Sequence, residues 1–391
     1  MRKNETSSHV VFTLVHLGVG GAQRVASLVM NELEERGYRV SVICYHREPE
    51  KVSLSAGVDR YYLYQFASEH ERAGLDRVVS KMRSVRRFER ALKVLNPDCV
   101  VSFGPDPLVY MAMRLVRYQG GLVCCERGYL GARNAAYQWI LKREMASADC
   151  GVFQFDGAKD PYGSSLPEDC RVIPNPCVRR TEAKRAPGAL TDEIVGAGRL
   201  VPDKGFATLV EAFSLISQDV PDAHLTIYGE GPDRHRLEEL VSSLGLAERI
   251  SLPGAVSNVA EASINARLFV LASEYEGCPN VLIEAMCAGI PVVAADCRPG
   301  GARFLTENGH IGGPLVPVDD AKLMARAIRE MLANPKEAER LGALGETLLD
   351  KYSYEAVMAK WIETFADVLG DQRKENLRSG GRRVAEEAMN G

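Results

Sequence analysis

The feature that most limits what this chain can fold into is a periodicity that runs, stops and starts again. Short apolar runs rich in β-branched residues, near 9–17, 40–44, 99–102, 122–125, 150–153 and 171–173, alternate with helical spacing over 22–36, 75–95, 107–117 and 135–146. A strand that returns parallel to its predecessor needs a crossover and a helix supplies one, so the alternation predicts parallel sheets covered by helices. The pattern ends after Asn175-Pro176, and a polar Arg/Lys/Ala/Pro/Gly stretch follows over 178–190. A second series then begins, with strands expected near 193–198, 224–228, 249–252, 268–272 and 291–295, and helices over 206–217, 234–244, 259–266, 281–288 and 320–332. The expected organisation is a first α/β domain over 1–177, a linker at 178–190 and a second α/β domain over 191–353. A helix at 354–370 would pack back toward the first domain, and a polar tail over 371–391 would be disordered. At 391 residues the chain is too long for one ordinary core, and two doubly wound domains facing a cleft are the architecture this implies.

Composition narrows the function classes. The chain is 46% hydrophobic and 26% charged with a formal net charge of −4, so it offers no overall attraction to nucleic acid and any anionic partner needs a local patch. The ten cysteines show no CxxC pair and the seven histidines no HExxH, so neither a disulfide framework nor a metal site is expected and no cofactor is called for. Polar residues 1–8 lead straight into a strand, which does not read as a signal peptide. The least charged stretch, 279–295, is too short and too interrupted by Glu284, Gly289 and Pro291 to span a bilayer. A cytoplasmic protein is expected, acting on a membrane only from its surface.

Four segments carry chemistry. Gly18-Val19-Gly20-Gly21-Ala22-Gln23-Arg24 follows the first strand and opens a helix, where glycines let a ligand approach the backbone and free N–H groups favour an anion. It is not a nicotinamide-dinucleotide fingerprint. Gln23 stands where the third glycine belongs, and Cys44-Tyr45-His46 where an acidic residue would end the second strand. A tight turn with no ligand remains the other reading. In Gly198-Arg199-Leu200-Val201-Pro202-Asp203-Lys204-Gly205, two cations flank a turn just before a helix. Lys204 is ill placed for the helix dipole unless an anion lies between it and Arg199 or it pairs with Asp203 or solvent. Glu276-Gly277-Cys278-Pro279-Asn280-Val281-Leu282-Ile283-Glu284 offers Asn280 as an N-cap and Glu284 as a lone carboxylate in an apolar helix, satisfied by ligand hydroxyls or by the backbone. Cys125-Glu126-Arg127 ends a strand of the first domain, where α/β proteins bind ligands, though an internal Glu126–Arg127 ion pair would also account for it.

The E-x7-E spacing of Glu276 and Glu284, the GRLVPDKG segment, the turn Gly229-Glu230-Gly231-Pro232 and the N-terminal GGAQR occur together and in order. This combination resembles the retaining GT-B glycosyltransferases of family 4 over nearly the whole chain. The resemblance implies a GT-B fold of two Rossmann-like domains and a nucleotide diphosphate sugar as donor, with uridine preferred. It implies that Arg199 and Lys204 hold the diphosphate, that Glu284 contacts the ribose and that Glu276 contacts the transferred sugar. The amides of Val281 and Leu282 would reach the phosphates, Gly20 and Gly21 would approach them across the cleft, and Glu230 and Asn280 would complete the donor set. The family's usual aromatic after Glu-Gly is replaced here by Cys278. Cys125-Glu126-Arg127 is similar to the Ser-Glu-Arg or Ser-Glu-His signature of members that elongate lipid-linked glycans, which would set Glu126 near the transferred sugar and Arg127 near the acceptor. Retention of configuration is likewise what the resemblance implies. A sugar-nucleotide epimerase of the same fold and a non-catalytic sugar-nucleotide binder are the competing readings.

The stretch from Arg72 to Lys93 adds a basic amphipathic helix, with Arg72, Arg77, Lys81, Arg83, Arg86, Arg87, Arg90 and Lys93 against Asp76 and Glu89. Such a helix suits an anionic membrane surface, with a solvated basic face as its other reading, and the resemblance implies that a basic region of this domain meets a polyprenyl-diphosphate acceptor.

Overall fold

The computed structural model describes residues 7–18, 20–66, 75–128, 130–177 and 191–370, so the expected linker, the tail and Arg72 lie outside the described residues. In chain order the elements are β1 (His9–Leu14), α1 (Gly21–Glu35), β2 (Arg39–His46), β3 (Asp59–Tyr64), α2 (Leu75–Leu95), β4 (Cys99–Phe103), α3 (Pro107–Val116), β5 (Gly121–Cys125), α4 (Ala135–Ala146), β6 (Cys150–Phe153) and β7 (Asp169–Val172). They continue with β8 (Glu193–Ala197), α5 (Phe206–Ile216), β9 (His224–Tyr228), α6 (Arg234–Ser243), β10 (Ile250–Gly254), α7 (Val259–Ala262), β11 (Leu268–Leu271), β12 (Tyr275–Glu276), α8 (Asn280–Cys287), β13 (Val292–Ala295) and β14 (Arg298–Pro299). The last are α9 (Gly301–Leu305), β15 (Leu315–Val316), α10 (Ala321–Ala333), α11 (Pro335–Glu346), α12 (Leu349–Tyr352) and α13 (Tyr354–Val368). One unit runs to Ile173 and resumes at Met358; the other is Pro174–Val357.

In the first unit every residue of β1, β4 and β6 is buried, as for strands covered on both faces. The sheet order is β3-β2-β1-β4-β5-β6-β7, all parallel. The chain winds outward from β1 in one direction and from β4 in the other, so the topological switch lies between those strands, where open α/β sheets bind ligands. Local chemistry sets the helix starts. Asp106 Oδ1 accepts from Leu108 N at 2.8 Å ahead of Pro107, and Asn134 Oδ1 accepts from Tyr137 N at 3.0 Å. Within this unit α13 lays Trp361 against Phe103 (centroids 5.9 Å apart) and Phe365 against Phe12 (6.2 Å), and Asp367 accepts from Arg171 at 2.6 Å.

The second unit repeats the plan with the order β10-β9-β8-β11-β13-β15, again all parallel. Its switch falls between β8 and β11. The helix after β8 begins at Gly205, which sits at φ +64 with its would-be Cβ only 2.1 Å from the Ala272 carbonyl oxygen, so only glycine fits. Among the described residues, no helix is long and apolar enough to cross a membrane.

Candidate active site

In the second unit the loops leaving β8, β9 and β11 are laced together by backbone bonds. Leu200 N donates to Glu230 O (2.9 Å), Asp233 N to Leu200 O (3.0 Å) and Glu274 N to Asp203 O (2.9 Å). Tyr275 and Glu276 then pair with Arg298 and Pro299, and Gly301 packs so closely that a Cβ there would lie 1.9 Å from the Gly277 oxygen. This lacing brings residues far apart in sequence to the β8/β11 switch.

Its centre is an ion pair the sequence does not announce. Lys204 Nζ lies 2.6 Å from Glu276 Oε1, with both side chains mostly buried, and Ser273 Oγ donates to the same oxygen at 3.1 Å. The local partners considered for Lys204, Asp203 or solvent, are displaced by a carboxylate 72 positions away. Arg199 stays exposed at the end of β8, with no ion pair or side-chain hydrogen bond among the described residues. The loop after β8 thus carries one paired cation, Lys204, and one cation, Arg199, left open among the described residues.

Two expectations on α8 need correction. Asn280 is not the N-cap, because Pro279 takes that place and Asn280 is the first helical residue. The Asn280 side chain turns to Asn175, whose Nδ2 donates to Asn280 Oδ1 at 2.6 Å and to the Cys278 carbonyl at 3.0 Å. The Leu282 amide donates to the Pro279 carbonyl at 3.1 Å, so of the expected Val281 and Leu282 pair only the Val281 amide is without an acceptor among the described residues. Glu284 is buried within α8, and Cys278 is buried in the turn before it. Glu230 is exposed and pairs with Arg234 at 2.9 Å, one helical turn on.

At the switch of the first unit, Gly20 precedes α1 in extended backbone (φ 170), and a Cβ there would meet Gln23 Oε1 at 2.0 Å. The residue that breaks the nicotinamide fingerprint is therefore packed over the loop. No acidic side chain occupies the first turn of α1, and Arg24 N donates to Gly20 O at 3.0 Å.

Glu126, expected near the sugar, is buried with each carboxylate oxygen already given a protein donor: Gly128 N at 2.7 Å on one and the Tyr162 hydroxyl on the other. Burial pushes its carboxyl above the ordinary range, and those two hydrogen bonds oppose the shift. Arg127 lies over the rings of Phe103 (4.3 Å) and Trp361 (5.4 Å), so the two neighbours serve different partners. Glu126 is held as part of the loop's frame.

On α2, Arg83, Arg86 and Arg90 are exposed beside Val79, Met82 and Val94, themselves 45%, 64% and 81% exposed. Arg87 is not available in the same way. It donates to the Leu63 carbonyl, and its guanidinium stacks 4.1 Å from the Tyr64 ring centroid. The side chain of Arg77 lies outside the described residues. Ser273 and Asn175 escaped the sequence reading. A serine three residues before a candidate carboxylate and an asparagine before a proline are weak signals until the fold joins them.

The chain is similar to known proteins in sequence and in fold. Residues 181–347 match the family described as Glycosyl transferases group 1, and residues 19–177 match Glycosyltransferase Family 4. An exopolysaccharide phosphotransferase of Streptomyces coelicolor is 32% identical over 311 residues, 77% of this chain, and the chain spans only 31% of that protein's length. A lipopolysaccharide core biosynthesis glycosyltransferase of Rhizobium meliloti is 26% identical over 90% of this chain and 98% of its own. Among solved structures, Anabaena HepE in complex with UDP and glucose superposes with a TM-score of 0.72 at 16% identity, over 92% of this chain and 100% of that one.

Proposed function

Because the chain belongs to the family 4 glycosyltransferases and has their GT-B fold, we propose that it moves a hexose or N-acetylhexosamine, with retention, from a UDP-sugar. The acceptor would be a glycan or a polyprenyl-diphosphate-linked oligosaccharide in cell-surface polysaccharide synthesis. The observation that carries this reading is the Lys204–Glu276 contact beside open Arg199 at the β8/β11 switch. The UDP and glucose of the HepE structure support the donor class, and the lipopolysaccharide core relative supports a lipid-linked acceptor.

The chemistry follows from charge. As the anomeric bond breaks, the nucleotide diphosphate gains negative charge. Arg199 would meet it with a planar fork and Lys204 with a point charge, both aimed before the reaction begins. A phosphate drawing Lys204 toward itself would loosen Glu276, whose carboxylate would then accept from hydroxyls of the transferred sugar. Glu284 would take the ribose hydroxyls and the Val281 amide a phosphate oxygen. Gly20 and Gly21 would take part in donor recognition through their backbone.

Thermal unfolding of the full chain against UDP, GDP and their sugars tests the donor, since a ligand of the native state raises apparent stability by mass action. UDP should give the larger shift. A shift with GDP alone would overturn the base, and conversion of the donor without any acceptor would favour an epimerase. Contact with an anionic membrane through Arg83, Arg86 and Arg90 and the apolar residues beside them is the second part of the reading. Changing Arg86 and Arg90 to glutamine should cut flotation with phosphatidylserine vesicles severalfold, and unchanged flotation would leave α2 a solvated face.

A further inference from the structure

Ser273 stands beside the Lys204–Glu276 contact and has no part in the donor chemistry above. Its Oγ lies 3.1 Å from Glu276 Oε1, the oxygen that also takes Lys204 Nζ at 2.6 Å. A carboxylate can only accept, so the serine hydroxyl donates. Glu276 Oε2 accepts no hydrogen bond among the described residues. One oxygen is gripped twice and the other is left open, although the Glu276 side chain is only 18% exposed.

The backbone on both sides of the serine is fixed against the lysine loop. Ser273 is 2% exposed and follows β11, whose Phe269 pairs with both β8 and β13. The residue before it, Ala272, abuts Gly205, where a Cβ would lie 2.1 Å from the Ala272 oxygen. The residue after it, Glu274, donates its amide to Asp203 O at 2.9 Å and accepts from Arg298 N at 3.2 Å. The two donors to Glu276 therefore differ in freedom. Lysine carries its charge on a flexible four-carbon stem, whereas serine has one short rotor on a fixed backbone. A diphosphate that draws Lys204 away strips Oε1 of its cation and leaves the serine in place.

We propose that Ser273 is a positioning residue for Glu276. Its hydroxyl keeps Oε1 anchored once Lys204 has turned to the diphosphate, so that Oε2 is presented to hydroxyls of the transferred sugar. A mostly buried carboxylate abandoned by its cation is costly and would swing toward another donor. A charge-assisted hydrogen bond from a fixed hydroxyl opposes that swing. The serine bond is made before and after the nucleotide binds, so it cancels from the affinity for UDP and acts on the sugar alone. This inference rests on the reading of Lys204 as the partner of the diphosphate and Glu276 as that of the sugar.

The test compares the wild-type chain with Ser273→Ala, which removes the hydroxyl and adds no bulk. UDP affinity is measured by calorimetry, and turnover as UDP released from UDP-glucose or UDP-N-acetylglucosamine, whichever the wild type uses faster. Crystal structures of both proteins with UDP complete it. In Ser273→Ala kcat should fall about tenfold, the loss of one hydrogen bond to a charged group, while UDP affinity stays within about twofold. A serine that only shaped the loop would not separate the two. In the wild-type complex Glu276 should remain on Ser273 with Lys204 turned to the phosphates, and in the variant Glu276 should take another rotamer. The proposal is overturned by undiminished turnover in Ser273→Ala, by equal losses of turnover and UDP affinity, or by a wild-type complex in which Lys204 holds the phosphates and Glu276 has left Ser273. UDP bound with Lys204 still on Glu276 would overturn the reading of the site itself, and the positioning role with it.

Discussion

The two switch points of this molecule share a topology and differ in what they put there. In the second unit the ends of β8 and β11 carry Arg199, Lys204 and Glu276, with a side-chain ion pair linking loops 72 residues apart and an open cation beside it. In the first unit Glu144, Asp106 and Glu126 are already paired internally. Glu144 accepts from Ser102 Oγ at 2.6 Å and from the Asp106 amide at 2.7 Å, Asp106 accepts from the Tyr45 hydroxyl at 2.7 Å, and Glu126 is held by Tyr162 and Gly128. What remains for a ligand at β1 is backbone, shaped by glycine. Two parallel sheets of like winding can thus divide the work, one keeping charge that a ligand can redirect and the other a shaped loop on a closed frame.

The comparison breaks most readily at its charged half. Replacing Arg199 or Lys204 with alanine should lower the transfer rate by about 10²–10³, the usual loss of one preorganised electrostatic donor, while the unfolding midpoint barely moves. Loss of the fold instead would make the Lys204–Glu276 pair a structural brace. Next in size, Gly205→Ala forces a positive-φ turn and a backbone collision with Ala272, so it should destabilise the second unit by more than about 1 kcal/mol. Denaturant unfolding checks this, and an unchanged midpoint would show that the turn re-forms.

The smallest effect sharpens the closed half. Burial pushes the Glu144 carboxyl well above its ordinary range, with the hydroxyl of Ser102 opposing it. A raised native value means the folded protein holds this proton more tightly than the unfolded chain. The contribution of Glu144 to stability is therefore greatest below the ordinary carboxylate range and falls as pH rises toward its native value. Glu144→Gln can keep an acceptor for the Asp106 amide and donate to Ser102 Oγ, so it should flatten that slope. Parallel pH–stability curves for the two proteins would show that Glu144 carries none of it.

Much of this was legible beforehand because it depends on local pattern. Central strands such as β1 and β4 are continuous apolar runs, and α3 and α10 announce themselves by Asp106 and Asp320 ahead of amphipathic spacing. The misses share a cause. β3, Asp-Arg-Tyr-Tyr-Leu-Tyr, is a half-exposed edge strand without the apolar run of its neighbours, and two-residue β15 is too short to show a period. Gly277 and Gly301, which let two loops meet, read as ordinary turn residues. The residue types of the site were visible at Arg199, Lys204, Glu276 and Glu284, but their partners were not. Glu276 reaches Lys204, Asn175 takes Asn280 from the cap, and Tyr162 takes Glu126 only through tertiary contact.

A crystal structure of the chain with UDP tests the central claim most directly. The account predicts a pyrophosphate within about 3 Å of Lys204 Nζ and the Arg199 guanidinium, at the carboxyl ends of β8 and β11, with Glu276 drawn away from Lys204. Nucleotide bound elsewhere, or bound there with the Lys204–Glu276 pair untouched and Arg199 still turned to solvent, would contradict it.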